Sequence, residues 1–387
     1  MIQVTEKGLY CAAADVFIDP WRPVPRALIT HAHSDHARSG HAAYLAQHHC
    51  VPLLRARLGA NINARGLEYG ERLHINGVDI SLHPAGHVLG SAQVRLEHRG
   101  EVWVVSGDYK LDADSVAAPF EPVHCHTFVT ESTFGLPVYR WPDPARVMQQ
   151  IDDWWAANQR EGVASILLAY SLGKAQRLLA GLPHQRGPIY VHGSIEQMNL
   201  AHLEAGVALP ECGPPPRPLR HAADSPAPLI VAPPSVQGST WARRFAPVSY
   251  AWVSGWMAVR GAKRRRAADR GFVLSDHADW DGLNDAVRAT GAERVYVTHG
   301  SSAVYARWLR ERYGLDAAEL QTLFGEDGEN GEDFAEEELA KPEDSKPDIQ
   351  SAAGQTKQSE ASLQGAATEG AATKASVNPG LNSGGEQ

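Results

Sequence analysis

Residues 27–36 read ALITHAHSDH, and this stretch decides how the rest of the chain is read. ALIT (27–30) is a near-continuous apolar run of the kind that forms a buried strand. It leads straight into His31, His33, Asp35 and His36. On an extended strand end, residues at i and i+2 share a face, so His31 and His33 can meet one cation. Asp35 and His36, on the turn that follows, can meet a second. Imidazole suits borderline-soft divalent metals and carboxylate is the harder supplement, which favours zinc. A single surface histidine is seldom a ligand. Three histidines and an aspartate within six residues at a strand end reverse that expectation.

Two metals need further ligands, and later strands end on them. His87 sits in HPAGHVLGSA (83–92), between glycines that permit close backbone approach. Asp108 ends VVSGD (104–108), where a carboxylate can bridge two cations, and His299 lies in YVTHG (296–300). Alone, each reads as a turn residue. Together they repeat one pattern, a polar ligand placed where a hydrophobic strand stops, as open sites on layered α/β scaffolds are built.

The surrounding pattern is α/β. Strands are expected at VFID (16–19), VDISLHP (78–84), AQVRLEH (92–98), VWVVSGD (102–108) and TFVTE (127–131). Asp143-Pro144 has the form of an N-cap followed by proline at the first helical position, opening a helix that closes near Gly162. Strands follow at SILLAY (165–170), PIYVHG (188–193), PLIVAP (228–233), SYAWVSG (249–255), FVLSD (272–276) and RVYVTHG (294–300), with helical stretches between some of them.

The net charge of −9 over 387 residues seems to exclude a nucleic-acid partner, but it is unevenly placed. Residues 324–387 hold 14 acidic and 4 basic side chains, which leaves 31 acidic and 32 basic in the body. This tail is poor in large apolar residues and is expected to be disordered, as a solvated spacer or an anionic mimic of nucleic acid. No apolar run approaches a membrane span, and the N-terminus lacks the layout of a secretory signal. Four scattered cysteines without CxxC spacing fit reduced thiols in a cytoplasmic protein.

HAHSDH, GHVLGS, SGD and the final strand-end histidine resemble the metallo-β-lactamase fold. ESTFG (131–135), SDHAD (275–279) and THG (298–300) narrow the resemblance to its β-CASP nuclease branch. GLYCAAADVFIDPW, SLGKAQRLL, APPS with GSTWARRF, and SGWMAVRGAKRRR are similar to the bacterial exonucleases associated with an ATP-dependent DNA ligase. The resemblance runs over about residues 8–313. It implies an αββα sandwich in two parts, residues 1–134 and 271–323, with a β-CASP α/β domain inserted at 135–270 and the acidic tail at 324–387.

The same resemblance implies two zinc ions, or manganese in their place. His31, His33 and His87 would hold one ion, and Asp35, His36 and His299 the other, with Asp108 bridging. Asp19 would orient ligands from behind. Glu131 and His277 match the acidic and histidine motifs. A bridging hydroxide would be the nucleophile and His277, aimed by Glu131, the general acid; the alternative is that Glu131 and His277 only brace the domain junction. Arg243, Arg244, Arg260, Lys263, Arg264, Arg265 and Arg266 gather positive charge at the end of the insertion, where they could track phosphates. Ser171-Leu172-Gly173-Lys174 lacks P-loop spacing and offers at most a helix N-terminus.

The expected activity is phosphodiester hydrolysis by a DNA exonuclease of repair, in functional association with a DNA ligase and helicase. The alternative, which no motif excludes, is an RNA exo- or endonuclease of the RNA-processing type; the resemblance gives the position of His299 as histidine in those members and apolar in the crosslink-repair DNA members. A small-molecule thiolesterase or lactamase fits poorly with the long insertion and its arginines. A scaffold without activity fits poorly with a full ligand set.

Overall fold

The computed structural model describes residues 1–216, 226–259 and 268–322. The acidic tail, together with Arg260, Lys263, Arg264, Arg265 and Arg266, lies outside the described residues. The chain first lays down β1 (Ile2–Thr5), β2 (Gly8–Cys11), β3 (Val16–Ile18), β4 (Ala27–Leu28), β5 (Tyr44–Gln47), helix α1 (Cys50–Leu58) and β6 (Ala64–Leu67). These six strands form one sheet in chain order. A second sheet begins with β7 (Arg72–Ile75), β8 (Val78–Pro84), β9 (Ala92–His98), β10 (Glu101–Val105) and β11 (Thr127–Glu131).

The chain then leaves this sheet for more than a hundred residues. This excursion contains α2 (Pro144–Arg160), β12 (Ala164–Leu168), α3 (Lys174–Gly181), β13 (Ile189–Val191), α4 (Gly193–Glu204), β14 (Leu229–Ala232), α5 (Thr240–Arg243), β15 (Val248–Val253) and β16 (Arg270–Phe272). Its strands make a third, parallel sheet in the order β13-β14-β12-β15-β16. Helix α6 (Trp280–Ala289), β17 (Arg294–Thr298), α7 (Ser302–Tyr313) and β18 (Asp316–Glu319) return to the second sheet, whose order is β18-β17-β11-β10-β9-β8-β7.

The apolar faces explain the layering. Leu9, Ile18 and Leu28 of the first sheet pack on Ile80, Val94 and Leu96 of the second. Each such side chain contributes on the order of 2 kcal/mol on burial. Behind the second sheet, Phe128 and Val295 meet Trp280 and Leu283 of α6 and Tyr305 and Leu309 of α7. Behind the first, Ile29 and Ala46 lie against Leu53 and Leu54 of α1, and Leu172 and Met198 of the excursion join the same cluster. The order is helix, sheet, sheet, helix.

Asp143 caps α2 as its sequence predicts, accepting from the Ala145 amide at 2.9 Å with Pro144 at the first helical position. Strands β8, β9 and β11 occupy the expected residues. FVLSD (272–276) does not continue as a strand, because β16 ends at Phe272. Beyond it the backbone serves other partners: the Asp276 carbonyl meets His87 Nδ1 at 2.8 Å, and the His277 amide donates to Ser275 Oγ at 3.1 Å. Helix α1 also escapes the sequence pattern. Its CVPLLRARL buries Cys50, Val51, Leu53 and Leu54, carries no marked amphipathic stripe, and holds Pro52 in a first turn that tolerates it.

Candidate metal centre

Strand ends bring the polar residues together. Strands β10, β11 and β17 run parallel, with Val105 opposite Val129 and Glu131 opposite Thr298. Asp108, Glu131 and His299 therefore emerge at one rim. On the first sheet Ile18 lies opposite Leu28, which sets Asp19 beside the start of the histidine motif. The Ala92 amide donates to the Thr30 carbonyl at 2.8 Å and joins the two sheets at this rim.

Potential ligand atoms of His31, His33, His87 and Asp108 all lie within 4.8 Å of one another. The same holds for His31, Asp35 and His36, for His36, Asp108 and His299, and for Asp108, Glu131 and His277. Asp108 belongs to three of these four groups, the position required of a bridging carboxylate. Its Oδ2 lies 3.5 Å from His31 Nε2, 3.4 Å from His36 Nε2 and 3.9 Å from His87 Nε2. Asp35 is half-buried, with Oδ2 3.5 Å from His36 Nε2.

Each imidazole is oriented through its other nitrogen, as metal-binding histidines usually are. His31 Nδ1 faces Thr30 Oγ1 at 3.1 Å, His36 Nδ1 faces Asp19 Oδ2 at 2.8 Å, and His299 Nδ1 faces Thr298 Oγ1 at 3.0 Å. His87 Nδ1 faces the Asp276 carbonyl at 2.8 Å and His33 Nε2 faces the Leu172 carbonyl at 3.2 Å. Carbonyls only accept, so both of these rings spend their N–H there. The remaining nitrogens, His87 Nε2 and His33 Nδ1, face each other at 3.0 Å. In neutral rings these are two lone pairs, and a cation between them reconciles the contact. His31 Nε2 and Asp108 Oδ1 are buried with no hydrogen-bond partner, which is costly unless an ion takes them. The donor set fits the binding of divalent metal.

The electrostatics differ among the rings. Burial pushes His31 and His87 well below the ordinary imidazole range, so both are neutral and ready to ligate. Burial acts the same way on His36, but the Asp108 and Asp35 carboxylates outweigh it and raise His36. Burial would push Asp108 up; the neighbouring His36 overcomes it and holds the carboxylate low.

Asp19 supports the centre from behind. Its Oδ1 accepts from the Thr30 amide at 2.8 Å and its Oδ2 from Thr30 Oγ1 at 2.6 Å, while its backbone sits at φ +43°. Gly107 is required by packing, since at φ +57° an added Cβ would lie 2.6 Å from Thr30 Oγ1.

No family model matches the chain. It is 33% identical over 315 residues to a probable DNA ligase of Opitutus terrae, a match that takes 80% of this chain and 30% of that protein. It is 30% identical over 149 residues to the transcription termination factor FttA of Methanothermobacter thermautotrophicus, 35% of this chain and 23% of that one. RNase aCSPSF2 of Saccharolobus solfataricus is 26% identical over 133 residues, 34% of this chain and 27% of that one. The chain thus spans less than a third of the length of these curated relatives. A crystal structure of a protein of unknown function from Enterococcus faecalis V583 superposes with a TM-score of 0.51 at 11% identity, covering 78% of this chain and 80% of that one, a likeness of fold alone. These relatives include β-CASP nucleases, and the chain is similar to that branch of the metallo-β-lactamase fold.

In this chain all seven expected ligands, with Asp19, Glu131 and His277, meet at one rim. Arg243 and Arg244 are exposed, and the Arg244 guanidinium lies 4.7 Å from the ring centres of both Trp241 and Phe245. Lys174 is buried, over the Tyr170 ring at 4.2 Å and 3.7 Å from Asp276 Oδ2. Sequence reasoning missed Thr30, although it directly precedes the histidine motif, and the Leu172 and Asp276 carbonyls, which as backbone atoms leave no signature. No helix among the described residues is long and apolar enough to cross a membrane.

Proposed function

We propose that the chain is a metal-dependent phosphodiesterase acting on nucleic acid, most specifically a DNA exonuclease of repair that works alongside a DNA ligase and helicase in the cytoplasm. The observation that carries this is the convergence of groups of potential cation ligands sharing Asp108 with the buried Glu131–His277 pair. His31, His33 and His87 would hold one zinc or manganese ion, Asp35, His36 and His299 the other, and Asp108 both. When bound, two such ions supply a Lewis-acid clamp for a phosphoryl group and lower the pKa of water from about 16 toward 7.

The chain's own residues do the rest. Glu131 accepts a hydrogen bond from His277 Nδ1–H and steadies the ring as an imidazolium, which delivers its Nε2 proton to the departing oxygen. Tyr109 fixes the carboxylate by donating its amide to Glu131 Oε1 at 2.8 Å. The excursion between β11 and α6 forms a separate β-CASP domain, residues 135–270, that covers the site, with its terminal arginines as phosphate contacts. The acidic tail serves as a solvated spacer. Free thiols, three of the four cysteines being buried, support a reducing compartment.

DNA is favoured because a match over 80% of this chain lies inside a polypeptide named for a DNA ligase. The second reading, an RNA nuclease, is favoured by the ribonuclease names among the shorter matches. The test is degradation of end-labelled single-stranded DNA and RNA of one sequence with added Zn²⁺ or Mn²⁺, with Asp35→Ala as the control for contaminating nuclease. Trimming of DNA by the wild type alone supports the repair exonuclease and gives its polarity. Preference for RNA moves the protein to RNA processing, and no cleavage of either overturns the proposal.

A further inference from the structure

The SLGKAQR segment (171–177) is distinctive in sequence, yet the proposed chemistry gives it no task. In the structure it opens α3 on the excursion and reaches the three-histidine side of the centre by two routes. The Leu172 carbonyl meets His33 Nε2 at 3.2 Å. Arg177 and Lys174 grip Asp276, whose own carbonyl meets His87 Nδ1. Arg177 Nη1 lies 3.7 Å from Asp276 Oδ1 and also donates to the Ser275 carbonyl, while Lys174 Nζ lies 3.7 Å from Asp276 Oδ2. Lys174, Arg177 and Asp276 are all buried.

The segment is internally hydrogen-bonded. Gln176 Oε1 accepts from the Gly173 amide at 2.7 Å and its Nε2 donates to the Ser171 carbonyl at 3.0 Å, which closes the turn on itself. The outer flank is pinned as well: Asp114 lies 3.5 Å from Arg177 Nε and accepts from Lys110 at 3.1 Å. Removing one partner from such a buried network leaves an uncompensated charge, so the network holds its geometry or fails as a unit.

We infer that the first turn of α3 is a latch on the three-histidine site, with Arg177 and Lys174 as positioning residues that hold His87 through Asp276 while the preceding loop holds His33. The excursion thus sets how tightly the first cation is held, a role distinct from contact with a substrate. Partners that orient ligating histidines typically contribute 10–100-fold to metal affinity. The ligands of the other group are oriented by Asp19 and Thr298, outside the latch. The inference rests on the proposed cation centre, and the experiment separates the two.

The whole 387-residue chain is loaded with Zn²⁺ and titrated with a competing chelator, and bound metal per chain is measured for wild type, Arg177→Met and Arg186→Met. Arg186 pairs with Asp152 elsewhere on the excursion and controls for general loosening. The expected result is one metal equivalent held 10–100-fold more weakly in Arg177→Met, the second equivalent unchanged, and Arg186→Met like wild type. Melting of the metal-free forms checks folding, and Lys174→Met replaces Arg177→Met if the latter does not fold. Wild-type retention in the folded latch variant overturns the latch, as does equal weakening by Arg186→Met. A wild type that binds no zinc overturns the cation centre, and the latch falls with it.

Discussion

His277 Nδ1 lies 3.1 and 3.0 Å from the two oxygens of Glu131, and Glu131 Oε1 also takes the Tyr109 amide at 2.8 Å. A carboxylate only accepts, so Nδ1 carries a proton and Nε2 is the atom left to exchange one with a substrate. Glu131→Gln keeps the shape. With the Tyr109 amide holding the amide oxygen, it turns an N–H toward Nδ1 and imposes the wrong tautomer. We expect hydrolysis to fall by about 10²–10⁴-fold with metal content unchanged. Loss of metal in this variant would instead make Glu131 a ligand, since Asp108, Glu131 and His277 also offer ligand atoms within 4.8 Å.

Asp108 is the shared member of both proposed cation groups. Asp108→Asn removes the negative charge that offsets two cations, so both sites should weaken together and activity should vanish with them. Metal analysis after gel filtration checks this. Two retained equivalents would show that Asp108 bridges nothing.

Asp19 makes three hydrogen bonds from a strained backbone, to the Thr30 amide, to Thr30 Oγ1 and to His36 Nδ1. Asp19→Asn must turn an NH₂ group toward one of these partners. If it faces the Thr30 amide, two donors meet; if it faces His36, the ring tautomer reverses and Nε2 can no longer ligate. Metal affinity at the group containing His36 should fall by about 10–100-fold. Chelator competition on the folded variant measures it, and wild-type affinity would remove Asp19 from the centre.

Much of this site was legible because its residues announce themselves in the chain. His31, His33, Asp35 and His36 are adjacent, and His87, Asp108 and His299 follow apolar runs whose strand character the periodicity reveals. Asp143-Pro144 marks α2 by local chemistry alone. The remainder depends on tertiary context. FVLSD has the composition of a strand, yet its backbone beyond Phe272 bonds to His87 and to its own side chains. Lys174 and Arg177 look like surface charges until the fold buries them against Asp276. The orienting carbonyls of Leu172 and Asp276 belong to the backbone, which any residue would supply.

His202 offers a prediction away from the chemistry. It is fully buried on α4, in a helix whose Met198 and Ala201 share a core with Leu53 and Leu54 of α1. Its Nδ1 faces the Met198 carbonyl at 2.9 Å, and its Nε2 has no hydrogen-bond partner. Burial pushes this imidazole down to about 4 from its ordinary 6.5. The unfolded chain therefore takes up a proton below pH 6.5 that the folded chain refuses until about pH 4. Stability from His202 is complete above 6.5 and is lost as the pH falls, reaching about 3 kcal/mol at pH 4. His202→Gln keeps a donor for the Met198 carbonyl and cannot titrate. Chemical denaturation of the metal-free proteins at pH 7 and pH 4.5 should show a steeper loss for the wild type. Parallel losses in the two proteins would mean that His202 is protonated in the folded state, and that water reaches the packing between α1 and α4.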